Sequence, residues 1–252
     1  MTDDIGGAGV TDDIGGAGVT DATARVPEGV PEGLRRDAAT LAERARALGA
    51  ERVAPLAAAG VVVDERVRLK CLVPRCSSYG KNLMCPPAVP APAEMRAALA
   101  RYRVALVVQQ PIPADAAAAD EAFAGRTYAE ARALDGGHEV VRGDGVRESG
   151  RRVEVDGVKR SQLDFAALMT ELERAAFGLG YRFAAAFAGG ECVLCEECVG
   201  QGSGAPCVHP FEARPSAEAL GVDLVATAQA AGLDVQFPAA DDARWTGLLL
   251  ID

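Results

Sequence analysis

Four cysteines in the last third of the chain constrain it more than any other feature. Cys192, Cys195 and Cys198 form a C-x2-C-x2-C run. Cys207 follows after a Gly-, Ser- and Pro-containing loop and leads into His209-Pro210 and Arg214-Pro215. Two-residue spacing brings three sulfurs to one side of a tight turn, the way a chain wraps a [4Fe–4S] cube with one thiolate on each iron corner. Tetrahedral zinc is the other four-thiolate solution. Zinc motifs, however, pair C-x2-C knuckles across a longer span, and a third cysteine inside the first knuckle is one ligand too many. The spacing favours iron–sulfur over zinc, and either over cysteines without a metal.

A second group lies upstream. Cys71, Cys76 and Cys85 are spaced C-x4-C-x8-C, with Tyr79-Gly80-Lys81-Asn82 inside the loop and Pro86-Pro87 after it. A single cysteine is more often a small buried hydrophobe than a ligand. Three within fifteen residues of a turn-rich loop favour ligation. If Cys192, Cys195, Cys198 and Cys207 close one cube, Cys71, Cys76 and Cys85 hold three corners of a second. One iron is then left open as a Lewis acid or a site for substrate. In the other partition Cys207 serves the upstream site, since the last cysteine of such runs often ligates the other cluster. His209 either fills the open corner or donates a hydrogen bond to a ligand. Gly80, Gly189, Gly190, Gly200, Gly202 and Gly204 would let backbone N–H groups approach the sulfurs. Lys81 and Arg214 either offset the thiolate charge, bind an anionic ligand, or are ordinary surface charges. Tyr79 is either core or a proton donor.

Seven cysteines are an odd number, which rules out a fully paired disulfide framework within one chain. The net charge of −10 argues against nucleic acid and anionic membranes as partners. No apolar run is long enough to span a bilayer. The start of the sequence lacks a basic then apolar leader, so a cytoplasmic location is expected. Two histidines in the whole chain supply little acid–base chemistry. No GxGxxG, GxxxxGK[ST], HExxH or supported Ser-His-Asp set is present.

Taken in order, residues 2–10 recur as 11–19, a Gly-rich duplication that reads as a disordered tail over 1–30. Residues 31–252 are expected to form a single domain. Apolar spacing predicts helices over 34–48, 92–102, 115–133, 162–179 and 223–231, with a helical turn from Ser216. Strands are expected over 51–58, 61–69, 103–109, 182–187, 233–237 and 245–251. The rest of 114–157, with His138 and the basic stretch Arg147 to Arg152, reads as an exposed excursion. The fold class expected is α/β or α+β, a mixed sheet with packed helices and two cysteine-rich metal-binding loops at one edge.

The two loops and their neighbours resemble the predicted metal-binding family known as domain of unknown function 2284. In the first half the resemblance runs through residues 62–71, Cys76, 79–85 and Pro86-Pro87. In the second half it takes in Gly189-Gly190, Cys192, Cys195, Cys198, Pro206-Cys207, His209-Pro210, 214–216, Glu218-Ala219 and 221–223. It implies metal binding through these cysteines and supplies neither substrate nor reaction. Three functions compete: an iron–sulfur enzyme or its redox component, with a redox partner protein; a non-catalytic electron carrier; and a zinc-stabilised adaptor.

Overall fold

The structure, a computed structural model, describes residues 26, 29–112, 151–195, 197–235 and 243–252. Its centre is a four-stranded sheet of β1 (Arg52–Ala57), β2 (Val104–Pro111), β3 (Ala185–Ala188) and β4 (Arg244–Ile251). The order is β1-β2-β4-β3, and all three pairings are antiparallel where a mixed sheet was expected. The helices are α1 (Glu32–Ala47), α2 (Glu65–Leu72), α3 (Pro92–Leu99), α4 (Arg151–Gly178) and α5 (Leu224–Ala230).

Helices cover both faces, which is why the central strands are continuous apolar runs rather than alternating ones. On one face Leu41 of α1 and Phe165, Met169 and Leu172 of α4 pack on Val104, Leu106 and Val108 of β2 and on Leu249 and Ile251 of β4. On the other, Met95 and Leu99 of α3 and Leu220, Leu224 and Ala228 meet Ala105, Val107, Leu248 and Leu250. Each large side chain fully buried this way contributes about 1.5–3 kcal/mol. Gly247 of β4 matters here. A Cβ there would come within 2.9 Å of both Met169 Sδ and Phe165 Cζ, so only glycine lets those two side chains reach the strand.

Local signals explain the helix ends. At Gly49 (φ +105°) the chain turns so that Ala50 N–H reaches the Ala45 carbonyl and closes α1. Pro92 opens α3, and the Glu94 carboxylate accepts from Ala91 N–H at 2.7 Å.

Three expectations are corrected. Residues 61–69 do not form a strand: Val63 makes one isolated bridge to Val222, and α2 begins at Glu65. Asp64 decides this, because its carboxylate accepts from Arg66 N–H at 2.8 Å and caps the helix. The expected strand at 233–237 is irregular over 233–235, and its last two residues lie outside the described ones. Residues 151–157, expected in an exposed excursion, are the first turns of α4. The expected helix at 115–133 and His138 lie outside the described residues, as do 1–25, 27 and 28 of the tail expected over 1–30; within that tail Val26 is buried in the core and Val30 packs against it, so its end is ordered by the core. Among those described, no helix is long and apolar enough to cross a membrane.

Candidate metal centre

The two cysteine loops meet where edge strand β3 runs out. The first begins in the last turn of α2, which carries Cys71. Cys76 N–H returns to the Cys71 carbonyl at 3.1 Å, and Tyr79 N–H to the Cys76 carbonyl at 3.1 Å. Gly80 takes φ +73° and donates to the Pro86 carbonyl at 2.8 Å, which pinches the loop around Cys85. Cys85 is buried, Cys71 is half-buried and Cys76 is exposed.

The second loop leaves β3 through Gly189 and Gly190. A Cβ on Gly189 would sit 2.7 Å from the Thr246 carbonyl, so the chain passes β4 there only as glycine. The Glu218 carboxylate accepts from Gly190 N–H at 3.2 Å and from the Ser216 hydroxyl at 2.9 Å. Gln162 of α4 donates to the Glu191 carbonyl at 2.8 Å. Cys192, Cys195, Cys198 and Cys207 follow, all half-buried.

Two polar side chains join the loops. Buried Asn82 donates to the Cys192 carbonyl at 2.8 Å and accepts from Met84 N–H at 2.9 Å. Gln201 donates to the carbonyls of Asn82, Cys85 and Pro86 at 2.7, 3.2 and 3.3 Å, while its own N–H reaches the Lys81 carbonyl at 3.1 Å. Neither residue was singled out as joining the loops in the sequence. The one hint was a long polar side chain, Gln201, set between Gly200 and Gly202.

Burial and neighbouring sulfurs raise four of the thiols, and Cys192 acts on Cys85 of the other loop as well as lying among its own. Burial first, then Cys207, Cys195 and Cys198, push the Cys192 thiol up, while a hydrogen bond from the Leu194 backbone opposes this. Cys195 is raised by burial and then by Cys198 and Cys207. Upstream, burial and then Cys76 raise Cys71. Cys85 is pushed up to about 12, chiefly by burial, with Glu191, Cys76, Cys71 and Cys192 adding to it. Cys71, Cys85, Cys192 and Cys195 are therefore held toward the neutral thiol, and neighbouring sulfurs add to this. A bound cation would reverse that balance by stabilising the thiolates.

All seven cysteines are free thiols. Among the described residues, no three His, Cys, Asp or Glu side chains stand together as a ready ligand set. The donor chemistry nonetheless fits a soft metal. The two loops offer sulfur as their main donor, and His209 backbone N–H donates to Cys207 Sγ at 3.4 Å.

The supporting residues differ from expectation in three ways. His209 reaches the sulfur through its backbone, while its ring Nδ1 lies 3.2 Å from the Glu212 carboxylate. Arg214 is neither a surface charge nor directed at the sulfurs. It is largely buried and paired with Glu173 of α4, and it also donates to the carbonyls of Ala213 and Phe211. Burial pushes Glu173 up against the pull of that guanidinium. The N–H groups of Gly80, Gly189 and Gly190 serve the carbonyls of Pro86 and Thr246 and the Glu218 carboxylate rather than sulfur. Lys81 is exposed, and half-buried Tyr79 lies under the Arg75 guanidinium, 5.2 Å from the ring centre.

A family model described as predicted metal-binding protein (DUF2284) matches residues 54–251. Comparison with curated proteins and with solved structures finds no match. The matched stretch runs from inside β1 to the end of β4 and takes in both cysteine loops, so the chain belongs to this family of predicted metal-binding proteins.

Proposed function

We propose that the protein is an iron–sulfur protein with one complete centre and one open centre. Cys192, Cys195, Cys198 and Cys207 would hold a [4Fe–4S] cluster. Cys71, Cys76 and Cys85 would hold a second with one position free for an external ligand. The observation that carries this reading is that Asn82 and Gln201 tie the loop of Cys71, Cys76 and Cys85 to the loop that holds Cys192, Cys195, Cys198 and Cys207, so the two cysteine motifs lie side by side. Such clusters supply one-electron chemistry and, at an open iron, Lewis acidity.

The chain's own residues have definable tasks in this arrangement. Gln201 gathers the carbonyls around Cys85, which fixes the direction in which that loop presents its sulfur. The bond from Asn82 to the Cys192 carbonyl sets the spacing between the first sulfur of one group and the last of the other. His209 N–H donates to Cys207 Sγ and ties that sulfur to the turn that follows it. The ion pair between Arg214 and Glu173 anchors the arm that carries Cys207 to α4.

Anaerobic purification followed by iron and sulfide analysis tests the proposal. The expected result is a brown protein with about eight irons per chain. Replacing Cys195 and Cys198 with Ser should remove about half of that iron. Replacing Cys71 and Cys76 should remove the other half. A colourless protein carrying zinc ends the iron–sulfur reading and leaves a zinc-stabilised adaptor. A fully loaded protein whose electron resonance spectrum ignores every added small ligand points instead to a plain electron carrier.

A further inference from the structure

The stretch between the third and fourth downstream cysteines, residues 199–206, buries none of its residues, and 202–206 are all exposed. Gly200 (φ +80°) and Gly204 (φ +67°) bracket one helical turn at Gln201–Ser203. Among the described residues, every hydrogen bond that leaves this stretch starts at Gln201. Gln201 lies three residues after Cys198 and six before Cys207, so two candidate ligands of the downstream site flank it. Everything it holds belongs to the upstream loop: its backbone N–H meets the Lys81 carbonyl, and its side-chain amide meets those of Asn82, Cys85 and Pro86. The other ties on that loop come from fixed parts of the fold. Buried Ser216, bridged to the end of β3, donates its N–H to the Met84 carbonyl at 3.3 Å. Asn82 reaches the Cys192 carbonyl just beyond the same strand. Gln201 alone among these ties arrives on an exposed loop without an apolar anchor.

We propose that Gln201 couples the two cysteine sites, so that loading the downstream four cysteines raises the metal affinity of the upstream three. Without a metal, the exposed stretch bears a conformational cost each time it holds Gln201 against the Cys85 turn. Joining Cys198 to Cys207 through a common metal closes that span and supplies much of the ordering in advance. The amide then fixes the turn that presents Cys85, and the upstream sulfurs are gathered before their own metal arrives. Linkage makes the effect reciprocal: upstream loading strengthens downstream binding by the same factor. The proposal rests on the reading that both loops hold metal. It is indifferent to whether that metal is iron or zinc, because the coupling lies in hydrogen bonds of the chain.

Cobalt(II) titration of the metal-free full chain, kept reduced and anaerobic, tests the coupling through sulfur-to-cobalt absorption and cobalt bound per chain. Replacing Cys195 and Cys198 with Ser should lower upstream affinity about tenfold, and replacing Cys71 and Cys76 should lower downstream affinity by the same factor. Gln201→Ala, with every cysteine in place, should also lower upstream affinity about tenfold, and little further when added to the Cys195, Cys198 variant. Gln201→Glu, which keeps the length and removes the donor, should match it. A merely structural Gln201 would instead lower the melting temperature of the metal-free chain and weaken upstream binding equally in both backgrounds. That result overturns the proposal. So does an upstream affinity indifferent to the downstream cysteines, which keeps two metal sites and ends their coupling. A single sulfur-bound cobalt per chain ends the two-site reading and the coupling together. A protein purified with zinc whose cobalt sites remain linked through Gln201 keeps the coupling and overturns the iron–sulfur reading.

Discussion

Residues 104–108 of β2 are all fully buried, paired to strands on both sides and covered by helices above and below. Between residues 71 and 87, by contrast, only Ser78, Asn82, Cys85 and Pro86 are buried, and the chain holds its shape through turns and a few side-chain amides. Apolar burial stabilises the first region in proportion to area, and it is insensitive to any one polar contact. The second region depends on individual hydrogen bonds, each worth about 1 kcal/mol net. It therefore has room for chemistry, but it also loses its shape more easily. That contrast is expected where a rigid sheet carries a binding rim.

The contrast breaks first if the core proves soft. Phe165→Ala empties space between α4 and β2 and should cost about 3–5 kcal/mol, read by denaturant unfolding, with or without metal. A loss under about 1 kcal/mol would mean the sheet is not what holds the protein together. Next comes the ion pair behind the second loop. Glu173→Gln leaves the Arg214 cation largely buried without its carboxylate and should cost about 3 kcal/mol. The double variant Glu173→Leu, Arg214→Met should recover most of that, and a double variant as weak as the single would contradict an uncompensated charge as the cause.

Smaller effects belong to the rim. Asn82→Ala frees the Cys192 carbonyl and should cost about 1–2 kcal/mol. Amide exchange should then speed up in both loops while β2 and β4 stay protected; uniform acceleration would show that rim and sheet are one cooperative unit. The smallest is at the start of α2. Hydrogen bonds from Arg66 lower the Asp64 carboxyl from 3.8 to about 2. A depressed carboxyl supports the helix above its unfolded pKa and ceases to do so as pH falls through the folded one. Exchange in α2 should therefore quicken between about pH 4 and pH 2, and Asp64→Ala should reduce that pH response, with the rest carried by Glu65, which hydrogen bonding to Arg96 likewise lowers to about 2. A response undiminished by the substitution would assign it to another group.

Much of this architecture is legible in the sequence. Helices α1 and α4 and strands β2 and β4 have apolar periods long enough to survive any local signal, and the cysteine spacing marks both loops. The reading of 61–69 failed for a definite reason. Val67 and Leu69 alternate with cations as they would in a strand, but the cap at Asp64 is a stronger local instruction, and α2 has no core contact to betray its period. Arg214 was misjudged because its partner lies 41 positions earlier on α4, and no local pattern carries that distance. The bridging roles of Asn82 and Gln201 are invisible for the same reason, since their targets are carbonyl groups supplied by a distant part of the chain.

That separation bears on how the protein is made. The amide that grips the Cys85 carbonyl belongs to a residue 116 positions later. While the polypeptide is still emerging from the ribosome, Cys85 is already translated, yet the clasp on its carbonyl has not been synthesised. A prematurely truncated product would therefore carry the Cys85 loop without the amide that ties it down.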